Sequence, residues 1–72
     1  RLVLRTPPVF VSTPEVFRAF RPEDRGRGAN DLQPAACRLH PEIASALAAL
    51  EAEGCSGVRM SGAGASVFGW RP

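Results

Sequence analysis

The sequence predicts an α+β domain in which helices pack on one face of a small antiparallel sheet. Three observations predict it. Arg1 to Val11 is apolar and β-branched, and the stretch after Pro41 repeats apolar side chains with helical period. Val58 and Met60 then alternate with Arg59 ahead of a glycine turn and a second apolar run, Val67-Phe68-Gly69-Trp70. Strand, helices and closing hairpin in that order place the helices on an antiparallel sheet.

The opening strand is interrupted by Pro7-Pro8, which give no N–H to a ladder and so mark an edge, a bulge or a break. Ser12-Thr13-Pro14-Glu15 starts a helix: Thr13 caps it, Pro14 suits the first helical position, and Glu15 complements the positive end of the helix dipole. This short helix carries Val16, Phe17 and Phe20 and ends before Pro22. Arg21 to Ala29 combines charge, proline and glycine and reads as a mobile surface loop, its arginines open either to solvent or to a phosphate.

Asn30 is the expected cap of the next helix, with Gln33 three residues on in capping-box register and Pro34 tolerated in the first turn. His40-Pro41 predicts a bend or restart, because the residue before a proline is pushed away from helical angles. Beyond it Ile43, Ala46, Leu47 and Leu50 fall on one face of an amphipathic helix that Gly54 is placed to stop.

Length and composition bound the function. A chain of 72 residues is one domain at most, and a domain this short buries only about 60% of its unfolded surface. It opens on a strand-like Arg1-Leu2-Val3-Leu4 without an initiator Met and closes directly after an apolar run, so we expect a fragment of a longer chain, from its C-terminal part. The net charge is +2, and all nine basic residues are arginines scattered among seven acids. With no basic stripe to follow a phosphate backbone, nucleic acid is not an expected partner. No apolar run approaches the ~20 residues of a membrane span, and no signal peptide is visible. A soluble, cytoplasmic protein is expected. Cys37, Cys55 and the single His40 lack the spacing of a zinc site, so the thiols read as free and buried in a reducing compartment.

Chemistry-bearing patterns are few. Glu51 and Glu53 point to different sides of a helix and make no acid–base pair, and no Ser, His and Asp arrangement suggests a triad. The Ser61-Gly62-Ala63-Gly64 turn lies between two strands, whereas a Walker loop needs Lys and a following helix, and the chain has no Lys. It is therefore either a plain tight turn or a glycine hairpin whose backbone N–H groups meet an anion or another loop.

Four motifs carry a resemblance: Val11-Ser12-Thr13-Pro14-Glu15-Val16-Phe17, Asn30-Asp31-Leu32, Pro41-Glu42-Ile43, and Arg59 to Ala65 running on to Phe68-Gly69. In order and spacing they resemble the C-terminal part of the GHMP kinases over nearly the whole chain. The Val-Ser-Thr-Pro-Glu-Val-Phe segment is similar to that of the members acting on a cytidine-diphosphate-bearing methylerythritol, in the non-mevalonate route to isoprenoids. The resemblance implies an ATP-dependent kinase, with Mg2+, that phosphorylates the 2-hydroxyl of that small molecule. It also implies that residues 1–72 are a fragment of the C-terminal domain, whose partner is its own N-terminal domain, the carrier of the ATP site and the catalytic residues. Two other readings stay open: another GHMP kinase, of the homoserine or mevalonate type, and a non-catalytic ferredoxin-like ligand-binding module.

The resemblance also implies roles. Thr13 becomes a polar contact of the cytidine pocket and Phe17 an aromatic face stacked on the cytosine ring, whereas pattern alone makes Phe17 core with Val16 and Phe20. Ser61, Gly62, Ala63 and Gly64 resemble the family's third motif, which supports the ATP phosphate-binding loop of the N-terminal domain, with the glycines admitting close backbone approach. No catalytic residue and no metal ligand is implied within this chain. Ala63 and Ser66 depart from the more frequent Ser and Thr, and Ala63 removes a hydroxyl there.

Overall fold

A computed structural model describes residues 1–26, 28, 30–62 and 64–72. The elements in chain order are β1 (Leu2–Arg5), α1 (Thr13–Ala19), a 3₁₀ turn (Pro22–Asp24), α2 (Gln33–Leu39), α3 (Pro41–Ala52), β2 (Ser56–Met60) and β3 (Val67–Trp70). The sheet is antiparallel in the order β1-β3-β2, with the chain's first strand paired to its last. β1 stops before Pro7-Pro8, as expected of residues that cannot extend a ladder.

Register sorts the sheet into two faces. Val3 lies opposite Gly69, and Met60 opposite Val67, so these residues face the helices. Leu4, Phe68 and Arg59 align on the other face, with Leu2, Trp70 and Ser56 beside them. The core is Val3, Val16, Ala35, Ala36, Ile43, Leu47, Leu50, Met60 and Val67. The predicted stripe of α3 supplies three of these, Ile43, Leu47 and Leu50, each worth about 1.5–3 kcal/mol when fully buried.

His40 ends α2 and begins α3, at the break its following proline imposes. The stop at Gly54 is also as predicted: its N–H donates to the Glu51 carbonyl at 3.0 Å and that of Cys55 to the Leu50 carbonyl at 3.1 Å. Gly54 holds φ +90° in this paired closure, a conformation other side chains resist.

Two caps differ from expectation. α1 is capped by Ser12, whose hydroxyl accepts from the Glu15 N–H at 3.5 Å, which leaves Thr13 as the first helical residue. α2 has Leu32 at its N-cap, without a side-chain cap bond. Asn30 and Gln33 do not form a capping box, because both are drawn to the edge of the sheet.

The segment read as a mobile surface loop is built differently in its first half, and Arg27 and Ala29 of its second half lie outside the described residues. Asp24 is only 3% exposed. Its carboxylate accepts from both Arg38 terminal nitrogens, at 3.1 and 2.7 Å, and from the Arg21 N–H at 3.0 Å. Arg38 also donates to the Ala19 carbonyl at 2.8 Å, so this one pair ties the end of α1, the 3₁₀ turn and α2 together.

The Arg38 hydrogen bonds hold the Asp24 carboxyl down, from 3.8 to about 2. A carboxyl with a depressed folded-state pKa stabilises fully above its unfolded value and loses that contribution as pH falls through the folded one. The expected result is a pH-dependent loss of stability between about pH 4 and pH 2 that Asp24→Asn lacks. Urea midpoints of the two proteins across that range measure it, and parallel curves would refute the assignment.

Candidate functional site

The candidate site is built where the β2–β3 turn meets the segment leading into α1. Across the turn, Ser61 N–H donates to the Ser66 carbonyl at 2.9 Å and Gly64 N–H to the Ser61 carbonyl at 3.1 Å. Gly62 and Gly64 take positive φ, +59° and +111°, angles that glycine adopts freely and other L-residues do not. Ala63 lies outside the described residues.

β2 is an edge strand, and its outer backbone groups need partners. Asn30 and Gln33 supply them. The Asn30 side-chain amide donates to the Met60 and Gly62 backbone carbonyls at 2.9 and 2.6 Å, while the Gln33 side-chain Oε1 accepts from the Met60 N–H at 2.9 Å. Asn30 is held in turn by the Leu32 N–H, 3.0 Å from its side-chain oxygen. The start of α2 thus grips the hairpin stem at three backbone atoms. Sequence reasoning assigned both side chains to a local cap, since their partners lie about thirty residues away and leave no periodic trace.

A β-carbon at Gly64 would sit 3.3 Å from Ile43 Cδ1, 3.3 Å from Met60 Sδ and 3.5 Å from Val11 Cγ2, so the turn closes on the core at this residue. A β-carbon at Gly62 would meet nothing within 4 Å, so that glycine is the one presenting backbone to open space. Val11 leads directly into α1, and the Thr6 and Ser66 hydroxyls share a hydrogen bond of 2.9 Å on the other side of the turn. The turn and the approach to α1 are therefore one packed unit.

Thr13 and Phe17 are brought together. One helical turn apart on α1, they share a face, and both are exposed, Phe17 at 60%. Val16 takes the buried position at 0%. The reading of Phe17 as core is thereby corrected: the helix directs Val16 inward and leaves the larger aromatic side chain in solvent.

Other candidates stay quiet. Cys37 and Cys55 are free and only partly buried, a correction to their expected full burial, and burial pushes the Cys37 thiol up, away from thiolate chemistry. Among the described residues, no group of three His, Cys, Asp or Glu side chains could hold a metal ion. No helix among them is long and apolar enough to cross a membrane.

Comparison with known proteins places this geometry. Residues 14–71 match the family described as GHMP kinases C terminal. The chain is 41% identical to the 4-diphosphocytidyl-2-C-methyl-D-erythritol kinase of Rhizobium etli, a match over 94% of this chain and 28% of that protein. It is 40% identical to the enzyme of the same name from Cereibacter sphaeroides, over 94% of this chain and 32% of that one. A crystal structure of 4-(cytidine 5'-diphospho)-2C-methyl-D-erythritol kinase is similar at TM-score 0.82 and 36% identity, covering 94% of this chain and 32% of its own. The chain thus spans about 30% of the length of the relatives it matches.

Proposed function

This chain belongs to the GHMP kinases, matching their C-terminal domain, and from that premise we propose that it is the substrate-pocket and loop-support part of an ATP-dependent kinase. The proposed substrate is 4-diphosphocytidyl-2-C-methyl-D-erythritol, phosphorylated at its 2-hydroxyl. The observation that carries this reading is the exposed Phe17 and Thr13 pair on one face of α1, a helix whose lead-in residue Val11 lies against Gly64 of the hairpin. A rigid aromatic face left in solvent suits stacking on a base, which contributes about 1–3 kcal/mol, and a hydroxyl one turn away suits a polar group of the same nucleoside.

The work divides by residue. Phe17 and Thr13 bind and orient the cytidine end. Ser61, Gly62, Ala63 and Gly64 buttress the ATP phosphate-binding loop of an N-terminal domain, and Gly62 is the turn residue whose missing β-carbon leaves space for that loop. The transfer forms a bond between the substrate oxygen and the γ-phosphorus and breaks the bond to the β-phosphate oxygen, with ADP leaving. The hydroxyl proton goes to a base outside this chain. A Mg2+ ion would neutralise charge on the phosphates. We place ATP, Mg2+ and the catalytic residues in the N-terminal domain, and the full enzyme in the cytoplasm.

The full-length protein, given ATP, Mg2+ and the cytidine substrate, is expected to release ADP and form one new phosphate monoester, visible by 31P NMR. Residues 1–72 alone are expected to give no turnover above a protein-free control. Turnover by residues 1–72 would overturn the division of labour, and consumption of homoserine or a mevalonate derivative in place of the cytidine substrate would overturn the substrate.

A further inference from the structure

A cavity of about 540 Å³ opens beside the β2–β3 turn, lined among others by Arg59, Phe68, Ser61, Gly62, Asn30 and Asp31. Arg59 is the cation in that wall. It stands opposite Phe68 in the strand register, with its guanidinium carbon 5.3 Å from the ring centroid. Stacking on an aromatic face fixes the plane of a guanidinium while leaving its N–H fork free to bind.

Among the described residues, the side-chain hydrogen-bonding capacity of Arg59 is not taken up. Its Nε is buried without a partner among the described residues, and the two ion pairs among those residues use Arg5 and Arg38. The acid in the same wall, Asp31, accepts from the Gly26 N–H at 3.0 Å, and the Asn30 amide is engaged by the Met60 and Gly62 carbonyls. A buried donor without an acceptor is unfavourable until a ligand supplies one. Two oxygens on one centre, as in a phosphate, match the Arg fork in bidentate fashion.

We propose that this cavity is an anion site for a phosphate or diphosphate group, with Arg59 as its receptor, Phe68 as the platform that orients it, and the Ser61 hydroxyl as a second donor. The site lies beyond the cytidine contacts assigned to Thr13 and Phe17, and Arg59 has no role in the loop-support reading. Two sources carry the required chemistry: the phosphates of the nucleotide donor and the diphosphate of the cytidine substrate.

The test uses full-length protein with 15N-labelled arginine, inorganic pyrophosphate as the probe and chloride at matched ionic strength as control. Pyrophosphate is expected to shift the Arg59 Nε–H resonance saturably, chloride is expected not to, and Arg59→Lys is expected to raise the KM of one phosphate-bearing substrate roughly ten-fold or more by losing the bidentate fork. Whichever KM rises identifies the source. Melting curves of Arg59→Lys and Arg59→Gln, together with the wild-type titration, keep the result independent of any folding defect. An Arg59 resonance unmoved by pyrophosphate, an equal response to chloride, or both KM values unchanged in a folded Arg59→Lys overturns the site. Failure to phosphorylate the cytidine substrate, with a saturable Arg59 response intact, counts instead against the kinase reading.

Discussion

Gly64→Val is expected to destabilise the domain severely, with a loss of fold preceding any specific loss of ATP use. Gly64 sits at φ +111°, a conformation that strains any β-carbon-bearing residue and a β-branched one most. Holding a residue in so sparsely populated a region costs about 1–3 kcal/mol. The new side chain would also grow into Ile43 and Met60, both in the core, with Val11 closing the third side. Overpacking of that kind adds about 1–3 kcal/mol. Together these approach the roughly 3–5 kcal/mol that a single small core supplies. At about 4–8 °C per kcal/mol for a domain of this size, the melting temperature should drop by ten degrees or more. Calorimetry on the wild type, Gly64→Ala and Gly64→Val measures it, with Ala in between because it adds the strain and only a methyl. A Val variant that melts with the wild type would show that Gly64 does not face the core.

What was legible in the sequence was local. The α3 stripe, the break at His40-Pro41, the stop at Gly54 and the strand–turn–strand at the C-terminal end each rest on a period or a backbone constraint within a few residues. The cap of α1 was misplaced by one residue because Ser12 and Thr13 both cap well and Pro14 is accepted at either of the first two helical positions. Asn30 and Gln33 were misread for a different reason. Their side chains satisfy the outer edge of β2, and an edge strand's need for partners is set by sheet order, which no window of the sequence contains. Asp24 sits in a charge-rich run that reads as solvated, and only its meeting with Arg38, in a separate helix, makes burial tolerable. For the site itself, the resemblance singled out Thr13 and Phe17, whereas the periodicity of α1 could not tell whether Val16 or Phe17 turns inward. Arg59 read only as the outward residue of an alternating strand, and its unpartnered nitrogen emerges from packing against Phe68.

Phe17→Leu is the change expected to separate binding from stability most cleanly. With 60% of its surface exposed, Phe17 has little packing to lose, and substitutions at such positions usually stay within about 0.5 kcal/mol. Leu keeps the helix propensity and most of the apolar volume, so the melting temperature should hold within a few degrees. The aromatic face, however, is gone. If it stacks on cytosine, affinity for the cytidine substrate should fall by roughly ten-fold or more, equivalent to about 1.4 kcal/mol. Thr13→Ala makes a companion, because Ser12 caps α1 and the Thr13 hydroxyl can be removed without removing the cap. Thermal melts and substrate titrations on the same full-length preparations read both quantities. A Phe17→Leu protein that binds the cytidine substrate as tightly as the wild type would remove Phe17 from the pocket. One that loses stability in step with affinity would mean that its ring packs against another part of the full-length protein, leaving no free face for a base.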